Sequence, residues 1–172
     1  MAVDILLVFA SEHRRLRQLV ARCGRSSRGF HDPVRELQLA LRAHVIAASA
    51  EVYPAAAERA SRWPGDVLAR VRREVEDPRA SRSGLAGSTQ SLIGAEQDVI
   101  DALTGLELTE RRRLGRVFRM RRDSLLRASA TTSRRRRSQT ELYETARRAG
   151  VEHRSRMTQA ELQAAIDARG GR

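Results

Sequence analysis

The sequence contains no lysine, no asparagine and only one cysteine. A single cysteine excludes an internal disulfide and favours a reducing compartment, which predicts a cytoplasmic protein. The apolar run at residues 5–10 is too short to span a bilayer and is closely followed by Glu12, so neither a membrane span nor a signal peptide is expected. These absences argue against a disulfide-stabilised secreted domain and predict no membrane partner.

Arginine is the abundant residue, since it supplies all 33 basic side chains against 21 acidic ones and gives a net charge of +12. Such a charge favours an acidic partner, either nucleic acid or an anionic surface. Abundant arginine and alanine are also typical of a GC-rich genome, so codon bias can account for part of the charge. At 172 residues the chain can form one domain with a hydrophobic core and a small additional unit.

Hydrophobic residues recur every three or four positions through residues 1–128, which is the period of amphipathic helices. Asp32 and Pro33 predict the start of the second helix, and residues 79–88 are expected to form a loop. We therefore predict an all-α fold, an antiparallel four-helix bundle with a small C-terminal helix-extension-helix module. The expected inner faces are Ile5, Phe9, His13, Leu16 and Val20; Leu37, Leu41, His44 and Ala48; Ile93, Gln97, Ile100 and Leu103; and Leu114, Phe118, Leu125 and Leu126.

The composition changes after Ala128. Residues 129–137 are rich in arginine and lack a hydrophobic stripe, so we interpret them as a basic linker between a bundle at 1–128 and a second unit at 138–172. Two capping boxes predict the starts of the two helices of this second unit. They are Ser138 with Glu141, and Thr158 with Glu161.

Three segments resemble the hemerythrin-like HHE cation-binding domain, over about residues 3–128. They are EHRRLRQL (12–19), HVIAASAEVYP (44–54) and GAEQDVIDAL (94–103). The resemblance implies a four-helix bundle that buries two irons between histidines and bridging carboxylates. His13 and His44 match ligand positions of that family.

The other ligand positions of the family are changed in this chain. Ala48 stands where the bridging carboxylate belongs, and Gln97 stands where the third helix supplies a histidine. In the fourth helix Phe118 or Arg119 replaces the histidine, and Asp123 lies near the last carboxylate position. Iron needs a full set of converging ligands, so we interpret the two histidines as remnants of a lost site, with no metal and no cofactor. Leucine in place of either histidine is then expected to be neutral or mildly stabilising.

The segment SQTELYETARRAGVEHRSRMTQAELQAAI (138–166) resembles the small N-terminal domain of the Rho transcription terminator and related helix-extension-helix modules of SAP type. The similarity covers about thirty residues and runs in order, from Leu142-Tyr143 and Gly150-Val151 to the stretch from Met157 to Leu162. It implies a module that binds nucleic acid or docks a protein.

Arginines concentrate in and beside this module. Guanidinium groups suit bidentate phosphate contacts, which give sequence-tolerant and salt-sensitive binding. Tyr143 is the only aromatic residue of the tail, so duplex DNA is favoured over a single strand that needs stacking partners. The candidate nucleic-acid-binding residues are Arg134, Arg135, Arg136, Arg137, Arg147, Arg148, Arg154 and Arg156.

No catalytic constellation accompanies these features. The sequence therefore predicts a non-enzymatic, cytoplasmic, DNA-associated protein that uses a metal-free bundle as its scaffold. Two alternatives stay open: a di-iron hemerythrin-like protein that binds oxygen, nitric oxide or peroxide, and an adaptor whose tail docks another protein. A homodimer or a protein partner formed through the bundle also stays open.

Overall fold

The computed structural model describes residues 3–25, 33–57, 59–60 and 65–170, without the side chains of Arg25, residues 133–138 and Gly170. The prediction of an all-α fold is confirmed, since these described residues form helices and turns but no strand. None of the described helices combines the length and the hydrophobicity needed to cross a membrane. The helices are α1 (Ile5–Arg25), α2 (Pro33–Glu51), α3 (Tyr53–Ala56), α4 (Gly65–Glu76), α5 (Arg82–Ala95), α6 (Gln97–Thr104), α7 (Leu108–Arg148) and α8 (Gln159–Gly170), with a 3-10 turn at Arg154–Arg156.

The chain divides into two compact units, an N-terminal unit of residues 1–126 and a C-terminal unit of residues 127–172. Helix α7 continues through this boundary, because residues 116–149 contain no glycine or proline that would end it. Residues 129–137, interpreted from the sequence as a linker, therefore have a helical backbone. The capping box expected at Ser138 and Glu141 does not begin a helix, since both residues lie inside α7.

One hydrophobic core holds the N-terminal unit together. Helices α2 and α5 contact each other, and both contact α1 and α4. Each large apolar side chain that is fully removed from water contributes about 1.5–3 kcal/mol to the folding free energy. The largest of these buried side chains are Tyr53, Phe9, Phe118, Ile5, Leu16, Leu19, Leu37, Leu41, Leu85, Leu92, Leu103 and Leu114.

The loop predicted at residues 79–88 is mostly helix, because α5 begins at Arg82. The hydroxyl of Ser81 caps this helix by accepting a hydrogen bond from the backbone N–H of Gly84 at 3.0 Å. Leu85 and Thr89 are buried, and the Thr89 hydroxyl donates to the carbonyl of Leu85 at 2.7 Å. Small and hydroxyl-bearing residues are typical of loops. Here the hydroxyls of Ser81 and Thr89 make hydrogen bonds within their own helix, so this helix can pack against the core.

The C-terminal unit has a separate small core of Ala146, Val151 and Leu162, against which Leu142, Tyr143, Met157, Ala165 and Ile166 pack. Gly150, with φ of 69°, ends α7, and the backbone N–H of Val151 donates to the carbonyl of Ala146 at 2.9 Å. The second capping box is present at the start of α8. The backbone N–H and the hydroxyl of Thr158 donate to Glu161 Oε2 at 2.6 and 2.8 Å.

Candidate functional site

A cluster of polar side chains lies in the core of the N-terminal unit. Nε2 of His13, on α1, is 2.7 Å from Glu96 Oε2. Nε2 of His44, on α2, is 3.0 Å from Glu96 Oε1 and 3.1 Å from Oε2. All three residues are buried, with relative exposures of 5%, 0% and 0%. Two imidazoles from different helices thus converge on one carboxylate that water does not reach.

Tyr53 is the fourth member of this cluster, since its hydroxyl donates to Glu96 Oε1 at 2.5 Å. It begins the short helix α3, which follows a break in the helix at Val52. The break has a local cause, because Pro54 has no N–H to continue the hydrogen-bond ladder of α2. Glu96 also stands at a break, between the end of α5 at Ala95 and the start of α6. Interrupted helices therefore position both the carboxylate and its tyrosine partner.

Contacts within the cluster shift the pKa values of its members. Burial alone would raise the pKa of Glu96, but the charge of His44 and the hydrogen bonds from both histidines lower it to about 2. An ionised carboxylate only accepts hydrogen bonds, so His13 and His44 both donate through Nε2–H. Burial lowers the pKa of His44, yet the charge and hydrogen bond of Glu96 outweigh it and raise that pKa overall. Burial and the nearby Glu96 charge both raise the pKa of Tyr53, so its hydroxyl keeps its proton.

Aromatic rings pack against the two histidines. The ring of Phe9 is centred 5.7 Å from that of His13 and 5.3 Å from that of His44. The ring of Phe118 meets His44 edge to face at 5.4 Å. Nδ1 of His44 is buried and makes no hydrogen bond with any described residue. The imidazoles thus have apolar neighbours, with Glu96 as the polar group to which both bond.

A second buried acid, Glu12, lies next to His13 in the sequence and is only 5% exposed. The guanidinium of Arg122 pairs with it and also with Asp123, at 2.6 Å from Asp123 Oδ1. Glu51, the carboxylate nearest to the Ala48 position along α2, pairs with Arg121 at 2.9 Å. Arg121 and Arg122 of α7 therefore pair with all three of these acids.

The sequence-based prediction of the third inner face is confirmed at Ile93 and Leu103, which are buried, but was wrong at Gln97. Gln97 is exposed and donates to Asp101 at 2.9 Å, while Glu96 points into the core. The signal for Glu96 was present, because Leu92, Glu96 and Val99 also follow a helical spacing of four and three. Both candidate stripes have the period of a helix, and only the packed structure shows that Glu96 is buried while Gln97 is exposed.

The residues present do not fit the di-iron centre that the hemerythrin-like resemblance implies. Ala48 and Phe118 are completely buried apolar groups at two of the changed ligand positions. Arg119 is exposed, and Asp123 is held by Arg122. Among the described residues, one cluster of His, Cys, Asp and Glu side chains has the geometry to hold a metal ion, and it consists of His13, His44 and Glu96.

The candidate arginines of the C-terminal unit have different surroundings. The side chains of Arg134, Arg135, Arg136 and Arg137 lie outside the described residues, although their backbone is helical. Arg148 and Arg156 are exposed and form no ion pair with a described residue. Arg147 is exposed and pairs with Glu144 at 3.1 Å.

Arg154 differs from Arg147, Arg148 and Arg156 because it is partly buried. Its guanidinium lies 5.4 Å from the centre of the Tyr143 ring, and Nη1 donates to the carbonyl of Val151 at 3.2 Å. These contacts hold the 3-10 turn at Arg154–Arg156 against the last turns of α7. Arg154 therefore has a structural role that the sequence did not indicate.

No family model, no curated protein and no solved structure matches this chain significantly.

Proposed function

We propose that this is a non-enzymatic, DNA-associated protein whose C-terminal unit binds the phosphates of duplex DNA. The charge distribution supports this function. Residues 127–172 contain eleven arginines and five acids, a net charge of +6 within 46 residues. The N-terminal unit spreads the remaining +6 over 126 residues. The C-terminal unit thus carries the higher density of positive charge, which favours a polyanion as its partner.

The proposal rests mainly on Arg148 and Arg156, two arginines that are available to bind phosphate. Both side chains are exposed, and neither is neutralised by a described acid. The ion pair of Arg147 with Glu144 is exposed at the surface, where such pairs contribute little and exchange readily for a phosphate. Arginine presents a planar fork of donors that matches phosphate oxygens.

The surroundings of Tyr143 favour a duplex over a single strand. Proteins that hold single strands stack bases on exposed aromatic rings. The Tyr143 ring is partly buried, and the Arg154 guanidinium lies over it. Because this ring packs inside the unit, it is not available to stack on bases. The arginines would instead contact the phosphate backbone of a duplex, without reading its bases.

The N-terminal unit acts as a scaffold in this proposal. Its one cysteine, Cys23, is buried, and its thiol donates to the carbonyl of Pro33 at 3.2 Å. A reduced cysteine is consistent with a reducing compartment, and we place the protein in the cytoplasm.

Fluorescence anisotropy with a labelled duplex of mixed sequence tests the function on the intact chain. If four to six phosphates are contacted, affinity should fall roughly 150- to 1,800-fold between about 50 and 200 mM salt. The double substitution Arg148→Gln/Arg156→Gln should reduce the magnitude of the slope of log K against log salt by about 2. It should weaken binding to DNA duplexes of unrelated sequence equally. Replacing Arg134 to Arg137 with Gln should lower the slope further.

The matched control is Arg14→Gln/Arg17→Gln, which removes the same charge from exposed positions on α1. It should leave the slope nearly unchanged if the C-terminal unit is the site. Equal effects of the two double variants would show that net charge alone drives association. Weak binding that no tail variant alters would favour the adaptor alternative, in which this unit docks a protein.

A further inference from the structure

The polar cluster in the N-terminal unit has the composition and spacing of a metal ligand set. His13, His44 and Glu96 each offer one ligand atom, and these atoms all lie within 4.8 Å of one another. Ligand atoms around a tetrahedral zinc ion are about 3.3 Å apart, because each bond to the ion is about 2.0–2.2 Å long. The separations of up to 4.8 Å exceed this spacing by no more than about 1.5 Å, so we infer that side-chain rotations can bring the three groups onto one ion.

We propose that His13, His44 and Glu96 bind one divalent first-row transition-metal ion, of the zinc or ferrous type. The ligands are the two Nε2 atoms and the carboxylate. Imidazole nitrogen suits zinc and iron, whereas calcium and magnesium require several oxygen ligands. Two imidazoles with one carboxylate also occur at catalytic zinc and mononuclear iron sites, where open positions remain. This inference replaces the sequence-based expectation of no cofactor and is independent of DNA binding.

The surroundings of the cluster limit it to a single ion. A second ion would need its own ligands beside the two histidines, but apolar residues occupy the positions next to their rings. Ala48 and Phe118 are completely buried, and the rings of Phe9 and Phe118 pack against the imidazoles. Glu12, a further acid whose charge acts on His44, is paired with Arg122. The single-ion site thus differs in nuclearity and in ligands from the di-iron centre that the sequence resemblance implies.

Tyr53 is the positioning residue of this site. Its hydroxyl bonds to Glu96 Oε1 and fixes the orientation of the carboxylate. Tyr53 also lines a cleft of about 360 Å³, together with Ser49 and Arg72, whose side chains are hydrogen-bonded to each other at 2.7 Å. Tyr53, which is only 2% exposed, thus contacts both this cleft and Glu96.

Metal binding has a consequence at the histidine nitrogens. The hydrogen on each Nε2 must leave before the lone pair can coordinate, and a neutral imidazole then carries its hydrogen on Nδ1. The change is visible on both rings by nitrogen-15 NMR of histidine-labelled protein. A hydrogen-bonded cluster without metal affinity keeps the hydrogens on Nε2.

Calorimetric titration of the chelator-treated full chain with Zn²⁺, and with Fe²⁺ under anaerobic conditions, tests the proposal. One ion should bind per chain and raise the melting temperature. Glu96→Gln and His13→Gln should abolish stoichiometric binding, because each removes one of the three ligands. Tyr53→Phe should bind about 10- to 100-fold more weakly, as expected for loss of a group that orients a ligand. The matched control His31→Gln/His153→Gln should bind like the wild type.

Three results would overturn the proposal. They are no saturable binding by the wild type, two ions per chain, and unchanged binding by Glu96→Gln. Where a ligand variant fails to fold, NMR of the wild type decides the matter. Zn²⁺ should move the hydrogen from Nε2 to Nδ1 on His13 and His44 while the rings of His31 and His153 stay unchanged, and the opposite pattern would assign the binding to His31 and His153.

Discussion

The Glu96 carboxylate lies 2.7 Å from the Nε2 atom of His13, although the two residues are 83 positions apart in the sequence. His44 and Tyr53 bond to the same carboxylate. A fully buried anion is unfavourable unless hydrogen bonds and opposite charge compensate for the lost water. Glu96 therefore links α1, α2 and α3 through hydrogen bonds. Removing any of these hydrogen bonds should lower the free energy of unfolding measurably.

Glu96→Gln should destabilise the metal-free protein. The amide keeps the shape of the side chain but loses the charge, and one of its polar atoms can no longer accept a bond from the surrounding donors. Breaking a buried pair at one partner costs about 3 kcal/mol. Urea unfolding in the presence of a chelator measures the change, with the exposed Glu107→Gln as control. A loss below about 0.5 kcal/mol, the usual scatter of surface substitutions, would contradict the role assigned to this carboxylate.

His44→Leu should also destabilise the metal-free protein, by about 2–3 kcal/mol, because an ionised Glu96 loses one of its donors. This reverses the expectation drawn from the sequence, in which leucine was neutral or stabilising. The exposed His153→Gln serves as a control in the same unfolding experiment. Combined with Glu96→Gln, the His44 substitution should cost much less than the sum of the two single losses, since both remove the same interaction. Additive losses would show that the residues act separately.

Stability should be greatest in mildly acidic solution. The pKa of Glu96 falls from 4.5 to about 2 on folding, so its contribution is complete above pH 4.5 and is lost as the pH falls towards 2. This shift corresponds to about 3 kcal/mol. The pKa of His44 is raised above 6.5, so its contribution is complete below that pH and is lost as the pH rises through the folded-state value.

Unfolding free energies measured between about pH 2 and pH 9 in the presence of a chelator test this dependence. The wild type should be most stable between pH 4.5 and 6.5, the unfolded-state values of the two groups. Glu96→Gln should flatten both limbs of the curve, because it removes one titrating group and the cause of the other shift. An acid limb of unchanged size in the variant would assign acid unfolding to other carboxylates.

Two glycine-to-alanine substitutions should have opposite effects. A Cβ at Gly115 would lie 2.1 Å from the backbone carbonyl oxygen of Val3, so Gly115→Ala should cost about 1–3 kcal/mol. Gly87 is exposed in the middle of α5 with no atom within 4 Å of the added carbon, and Gly87→Ala should stabilise by about 0.5–1 kcal/mol. Thermal unfolding compares the two. A neutral Gly115→Ala would show that α7 does not approach the start of α1 this closely.

The sequence by itself determined the helical class and much of the core. The spacing of Ile5, Phe9, Leu37 and Leu41 predicts buried helix faces, and all four residues are fully buried. This works because burial of apolar surface dominates folding and a regular helix turns through one fixed period. The cap of α8 was also predictable, since Thr158 and Glu161 act over a single turn.

The partners across the core were decided by the tertiary structure alone. Glu96 and Gln97 belong to two stripes of equal period, and in the folded protein Glu96 is buried while Gln97 is exposed. Helical spacing shows which face of a helix is buried, but it does not show which other helix face packs against it. The sequence one turn after His44 has Ala48 and no carboxylate, so it gave no indication of which carboxylate lies beside His44. It comes instead from a residue 52 positions along the chain, because long-range packing chooses among faces that local periodicity makes equivalent.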